Sequence, residues 1–186
     1  ILARVLAARG ISAEDADSFL HPTLRDVLPN PSILRDMDKA ANRLATAIAN
    51  GEKIAVFGDY DVDGATSGAL ILRFLNAVGS TGTYYIPDRS REGYGPNAPA
   101  LRSLAEQGVT LVVTVDCGIS AFEPLDAAAE AGLSVIVVDH HALGGGNVLD
   151  KQAGPEVIRV CAQYLTHTAL RLRILLSIFV QHRQVQ

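Results

Sequence analysis

The chain has 186 residues, 48% of them apolar, and carries 16 Lys and Arg against 20 Asp and Glu for a formal charge of -4. That apolar content can offset the entropy of ordering a domain, which excludes a disordered chain, and mild acidity supplies no overall attraction for nucleic acid, so a bound polyanion needs a local basic cluster or metal ions. Two cysteines, Cys117 and Cys161, and no signal-peptide pattern predict free thiols in a reducing cytoplasm, while no apolar run approaches the roughly 20 residues that cross a bilayer.

The opening ILARVLAARG has helical spacing at Ile1, Leu2, Val5 and Leu6, with Gly10 placed to stop it, and because it begins in mid-helix the start is expected to be trimmed. Ser12 and Asp15 have the spacing of a capping box with Asp in place of Glu or Gln, a weak start for a second helix. Pro22, Pro29 and Pro31 mark a connecting arm, and Met37, Ala41, Leu44 and Ile48 predict a helix over residues 36–50. Residues 1–51 are expected to form a helical amino-terminal arm.

From there strands and helices alternate. Apolar, β-branched runs predict strands at Lys53–Phe57, Thr83–Ile86, Leu111–Val115 and Ser134–Val138, separated by helices at Ala65–Val78, Ala98–Gln107 and Ala121–Ala131. Buried strands joined by helical crossovers imply an α/β fold, a parallel sheet with flanking helices.

The acids fall at the carboxyl ends of these strands. The first strand runs into Asp59, Asp61 and Asp63, the third into Asp116, and the fourth into Asp139, His140 and His141. Those ends form one edge of an open parallel sheet, where ligands bind. Carboxylates gathered there would repel one another unless a cation neutralised them, and carboxylates mixed with imidazole suit Mn²⁺ first and Mg²⁺ second. Asp59, Asp61, Asp63 and Gly64 match the opening of an EF-hand loop, but its twelfth position is Leu70 instead of Glu. The D-x-D-x-[TV] pattern of an aspartyl-nucleophile phosphatase is interrupted by Asp63 and Ala65, and both the dinucleotide and P-loop glycine motifs are missing.

Four ordered segments, GDYDVDGATS at 58–67, IPDRSREGYG at 86–95, TVDCGIS at 114–120 and VVDHH at 137–141, resemble the DHH phosphoesterase superfamily, and within it the RecJ-like single-strand DNA exonucleases. FLHPTLRDVLPNP and DMDKAANR extend the likeness to residues 1–141. The resemblance implies hydrolysis of phosphodiesters with two divalent ions, usually Mn²⁺, and removal of nucleotides from 5′ ends of single-stranded DNA in recombination and repair. It implies that Asp59 and Asp61 hold one metal, Asp63 and His140 the other, that Asp116 bridges them, and that His141 contacts the scissile phosphate. Asp139 is placed to orient an imidazole from behind the metal ligands. Arg89, Arg91 and the flexible loop at residues 92–95 that follows them, with Tyr94, resemble the family's DNA-facing segment, the arginines gripping phosphates and Tyr94 stacking on a base. Cys117 is expected to pack as a small apolar group, and His21 and His167 to lie on the surface.

The DHH core is expected at residues 52–141. Residues 142–186, with a Gly144-Gly145-Gly146 linker and a basic, apolar helix pattern from Glu156 to Gln186, are expected to be a divergent helical tail. There the family continuation is absent, and the later metal-binding Asp with it. The sequence therefore predicts a truncated nuclease core of reduced or no activity, against a DHH phosphoesterase for short oligonucleotides or cyclic dinucleotides and an inactive remnant.

Overall fold

Five parallel strands form one sheet in the order β2-β1-β3-β4-β5 in the computed structural model, which describes residues 1–23, 30–141 and 157–161. The strands are β1 (Ile54–Gly58), β2 (Gly82–Tyr85), β3 (Leu111–Val115), β4 (Ser134–Asp139) and β5 (Val157–Cys161). β1, β3 and β4 are buried along their whole length, as expected of β-branched strands covered on both faces.

Alternation along each strand divides the core in two. Ile54, Val56, Val113, Ile136 and Ile158 face the layer made by α3 (Met37–Ala49) and α4 (Val62–Ala77), where Met37, Leu44, Ile71 and Leu75 pack. Ala55, Phe57, Val112, Val135 and Val157 face α5 (Ala98–Glu106) and α6 (Phe122–Glu130), meeting Leu101, Leu104 and Leu125. Arg43 on α3 ties that layer to the sheet, its guanidinium donating to both Glu52 carboxylate oxygens at 3.2 and 2.8 Å and to Ser134 Oγ at 3.0 Å.

Residues 1–30 form a separate compact unit, with α1 (Leu2–Ala8) and α2 (Ala16–Leu20). Ser12 accepts the Asp15 N–H at 3.0 Å and donates to its carboxylate at 2.7 Å, so the capping-box pair closes a turn and the helix itself starts at Ala16. The second unit starts at Pro31. The helix assigned from sequence to an arm over 1–51 thus belongs to the sheet's core, because Met37, Ala41 and Leu44 are its inward face.

Two further differences bear on function. α4 starts at Val62, three residues earlier than its apolar spacing suggests, because the Asp61 carboxylate caps it. β5 lies inside the stretch read as a helical tail. Its β-branched Val157, Ile158 and Val160 pair in parallel with β4, a long-range contact that overrides local helical spacing. The rest of that tail, including the Gly144–Gly146 linker and His167, lies outside the described residues. Among the described residues no helix is long and apolar enough to cross a membrane.

Candidate metal centre

Strand order brings the acids together. β1 and β3 are neighbours, while the chain leaves β1 towards β2 on one side and β3 towards β4 on the other. This divergence opens a crevice at the carboxyl ends of β1 and β3, where open α/β sheets bind ligands. Asp59 follows β1 and Asp116 follows β3, and they are only 3% and 6% exposed.

Local structure fixes each carboxylate. Asp59 Oδ1 accepts the Tyr60 N–H at 2.8 Å. Asp61 Oδ1 accepts the N–H groups of Asp63 and Gly64, both at 2.9 Å, so one carboxylate satisfies two donors of the first turn of α4. That turn lies directly on the Asp59 backbone, and a Cβ at Gly64 would sit 2.4 Å from the Asp59 carbonyl oxygen. Tyr84 on β2 fills the slot left by Gly58 and Gly68 and donates its hydroxyl to the Gly64 carbonyl at 3.1 Å, locking the turn from below. Asp116 has a left-handed backbone, φ 62°, a conformation that Asp tolerates better than most residues, and its N–H donates to Val138 at 2.9 Å.

Two overlapping groups of donors result. Asp59, Asp61 and Asp116 form one, and Asp116, His140 and His141 the other, with the ligand atoms of each group all within 4.8 Å of one another. Asp116 belongs to both. His140 Nε2 lies 3.0 Å from Asp116 Oδ1. Burial, then the charges of Asp61 and Asp63, push the Asp116 carboxyl up to about 7, and burial also raises Asp59. Acids whose ionisation is opposed by burial and by one another, joined by imidazoles, have the hard and borderline donors that a divalent cation takes, so the residues present fit such an ion. Asp63 belongs to neither group and acts on Asp116 through its charge.

Asp139, 1% exposed, is saturated by three contacts: it accepts the Ile119 N–H at 3.0 Å and the His141 N–H at 3.0 Å, and lies 2.7 Å from His141 Nδ1. Burial opposes charge on His141, but the carboxylates of Asp139, then Asp116 and Asp59, together outweigh it and raise that imidazole's pKa. Asp139 is thus paired with the His141 imidazole. Cys117 packs fully buried in the core, its thiol pushed well up by burial.

The loop after β2 carries the three residues that the sequence assigns to DNA contact. Arg89 lies over the Tyr60 ring, 4.9 Å from its centroid. Arg91 is 86% exposed and 3.9 Å from Asp88. Tyr94 donates to the Asp116 carbonyl at 3.2 Å and meets His141 edge-on, so its hydroxyl is engaged at the acid cluster while half of the residue stays exposed. Sequence reading gave no part to Tyr60, Tyr84 or Glu92. The closeness of Tyr60 to three acids was the available signal for the first, and the other two act through long-range contacts that have no pattern in sequence.

A parallel α/β core with acids and imidazoles meeting at its switch point defines a cation-dependent phosphoesterase type of site. The chain belongs to the DHH family, whose amino-terminal domain matches residues 53–168. It is similar to the single-stranded-DNA-specific exonuclease RecJ of Bacillus subtilis (strain 168), with 44% identity over 145 residues covering 77% of this chain and 18% of the relative. A RecJ of Thermus thermophilus is 37% identical over 145 residues, covering 75% and 22%. Among solved structures it resembles an exonuclease RecJ bound to manganese, with a TM-score of 0.68, 32% identity, and coverage of 80% of this chain and 38% of that one. The chain thus spans about a fifth of the length of these curated relatives. The family match continues beyond His141, where the likeness was read from sequence to stop, and it includes β5.

Proposed function

We propose that the chain is the metal-holding core of a 5′-to-3′ single-strand DNA exonuclease of recombination and repair, working in the cytoplasm. The observation that carries this reading is the sharing of Asp116 between two donor groups at the switch point. Shared carboxylates are how two-cation phosphodiesterases hold their ions side by side.

In this reading Asp59 and Asp61 would hold one ion and His140 the other, joined there by Asp63, which lies outside the two donor groups, while Asp116 would be shared; Mn²⁺ would be the preferred ion and Mg²⁺ the second. Bound ions supply Lewis acidity and a water that ionises near neutral pH. The chain's own residues do the rest. Asp139 holds the His141 ring by Nδ1, fixing its orientation towards the scissile phosphate. Arg89, stacked on Tyr60, and Arg91 meet backbone phosphates, and the exposed face of Tyr94 offers a base a stacking surface. The core accounts for residues 52–141 together with β5.

Incubation of the purified chain with Mn²⁺ and 5′-labelled single-stranded DNA, or with a dinucleotide, tests the proposal. Release of 5′ mononucleotides from the longer strand, abolished in Asp116→Ala, supports it. Turnover confined to the dinucleotide selects the small-substrate branch, and turnover unchanged in Asp116→Ala refutes the site. Absence of any turnover in the wild-type chain identifies an inactive core.

A further inference from the structure

The segment between β2 and α5 carries Arg89 and Tyr94 to the acid cluster, yet neither residue explains why a loop with glycines at 93 and 95 takes one shape. Both glycines adopt positive φ, 81° and 74°, so the chain reverses sharply on either side of Tyr94. Two carboxylates lie in this loop: Asp88 Oδ1 accepts the Ser90 N–H at 2.9 Å, a contact within the loop, whereas Glu92 reaches beyond it. Glu92 Oε2 accepts the Asp88 N–H at 2.7 Å, while Oε1 accepts the Tyr85 hydroxyl and the Asn97 amide, the latter at 3.3 Å. These donors come from the last residue of β2, from the loop's start and from the cap of α5, whose Asn97 Oδ1 in turn accepts the Ala100 N–H at 2.9 Å. Tyr85 is itself stacked on Phe57 in the core, with ring centroids 5.0 Å apart. One side chain thus joins the strand, the loop and the following helix. A carboxylate is the group that can do so, because it accepts on both oxygens and its bonds to neutral donors are charge-assisted.

We infer that Glu92 is a positioning residue for nucleic-acid binding: its carboxylate fixes the 86–97 loop so that Arg89 stays on Tyr60 and Tyr94 stays on the Asp116 carbonyl. The inference rests on the DNA-binding reading proposed above. Glu92 touches neither donor group, so it acts through the two residues at either end of its loop. With those residues held in advance, the strand does not have to order them when it binds. Glu92→Gln keeps the volume but removes the charge and replaces one acceptor with a donor, which then opposes one of the three donors.

The test is binding of a 3′-fluorescein oligothymidylate in Ca²⁺, read by anisotropy, alongside Mn²⁺ affinity by calorimetry and hydrogen exchange over residues 86–97. In Glu92→Gln the DNA dissociation constant is expected to rise roughly tenfold and loop exchange to accelerate, with Mn²⁺ affinity within about twofold of the wild-type value. In an Arg89→Ala/Tyr94→Phe background the same change is expected to cost less than about twofold, since its effect passes through those residues. Equal losses in both backgrounds, or a parallel loss of Mn²⁺ affinity, would show general structural damage and overturn the inference. DNA binding that falls in Arg89→Ala but not in Glu92→Gln overturns the role of Glu92 alone. A wild-type chain that binds no DNA overturns the nucleic-acid reading and this role with it.

Discussion

Asp116→Asn should make the cation-free protein more stable, and only above mildly acidic pH. Asp116 titrates near 7 in the folded chain against an ordinary value of 3.8. Below 3.8 the carboxyl is protonated in both states and costs nothing. Between the two values the unfolded chain has released the proton while the folded chain retains it, so stability falls as pH rises, and the full cost is present above 7. About three units at roughly 1.36 kcal/mol each set that cost at about 4 kcal/mol, of which roughly 3 kcal/mol develops between about pH 5 and pH 8. Asparagine has no charge to bury, tolerates the same left-handed backbone and still offers an oxygen to His140. Urea unfolding in EDTA at both pH values, on wild type and variant, measures the difference directly. The wild type should lose roughly 3 kcal/mol relative to the variant across that interval. Added Mn²⁺ at the higher pH should stabilise the wild type and leave the variant nearly unchanged. Parallel pH profiles for the two proteins would refute the claim that burial and neighbouring charge oppose this carboxylate.

Asp139→Asn removes the nearest of the charges that raise His141 against burial, so the imidazole's pKa should drop, as followed by NMR titration of its ring proton. Turnover should fall by about 10- to 100-fold, the usual cost of losing a partner that orients such a ring. Gly64→Ala drives a methyl into the Asp59 backbone, and because a carbonyl cannot rotate aside like a side chain, a loss of about 3 kcal/mol in urea unfolding is expected, with weakened Mn²⁺ binding.

The sheet could be read from the sequence because Ile54–Phe57, Leu111–Val115 and Ser134–Val138 are apolar, β-branched runs separated by helical stretches, and that pattern has few solutions. Once the strands were parallel, Asp59, Asp116 and Asp139 had to share an edge. What escaped was set by contacts across long separations. Asp61 and Asp63 looked like loop ligands, yet one caps α4 and the other sits in its first turn. The part Glu92 plays in its loop was not legible either, because its carboxylate depends on partners from β2 and the cap of α5. β5 was hidden in a segment with helical apolar spacing, and only β4 beside it decides the outcome.

The meeting of Asp59 and Asp116 has a mechanical consequence. Each is rooted in the end of a different strand at the middle of the sheet, and each is nearly sealed from water. An ion gripped by both would act as a rivet between the ends of two neighbouring strands, so that prising those strands apart and letting the ion go become a single event.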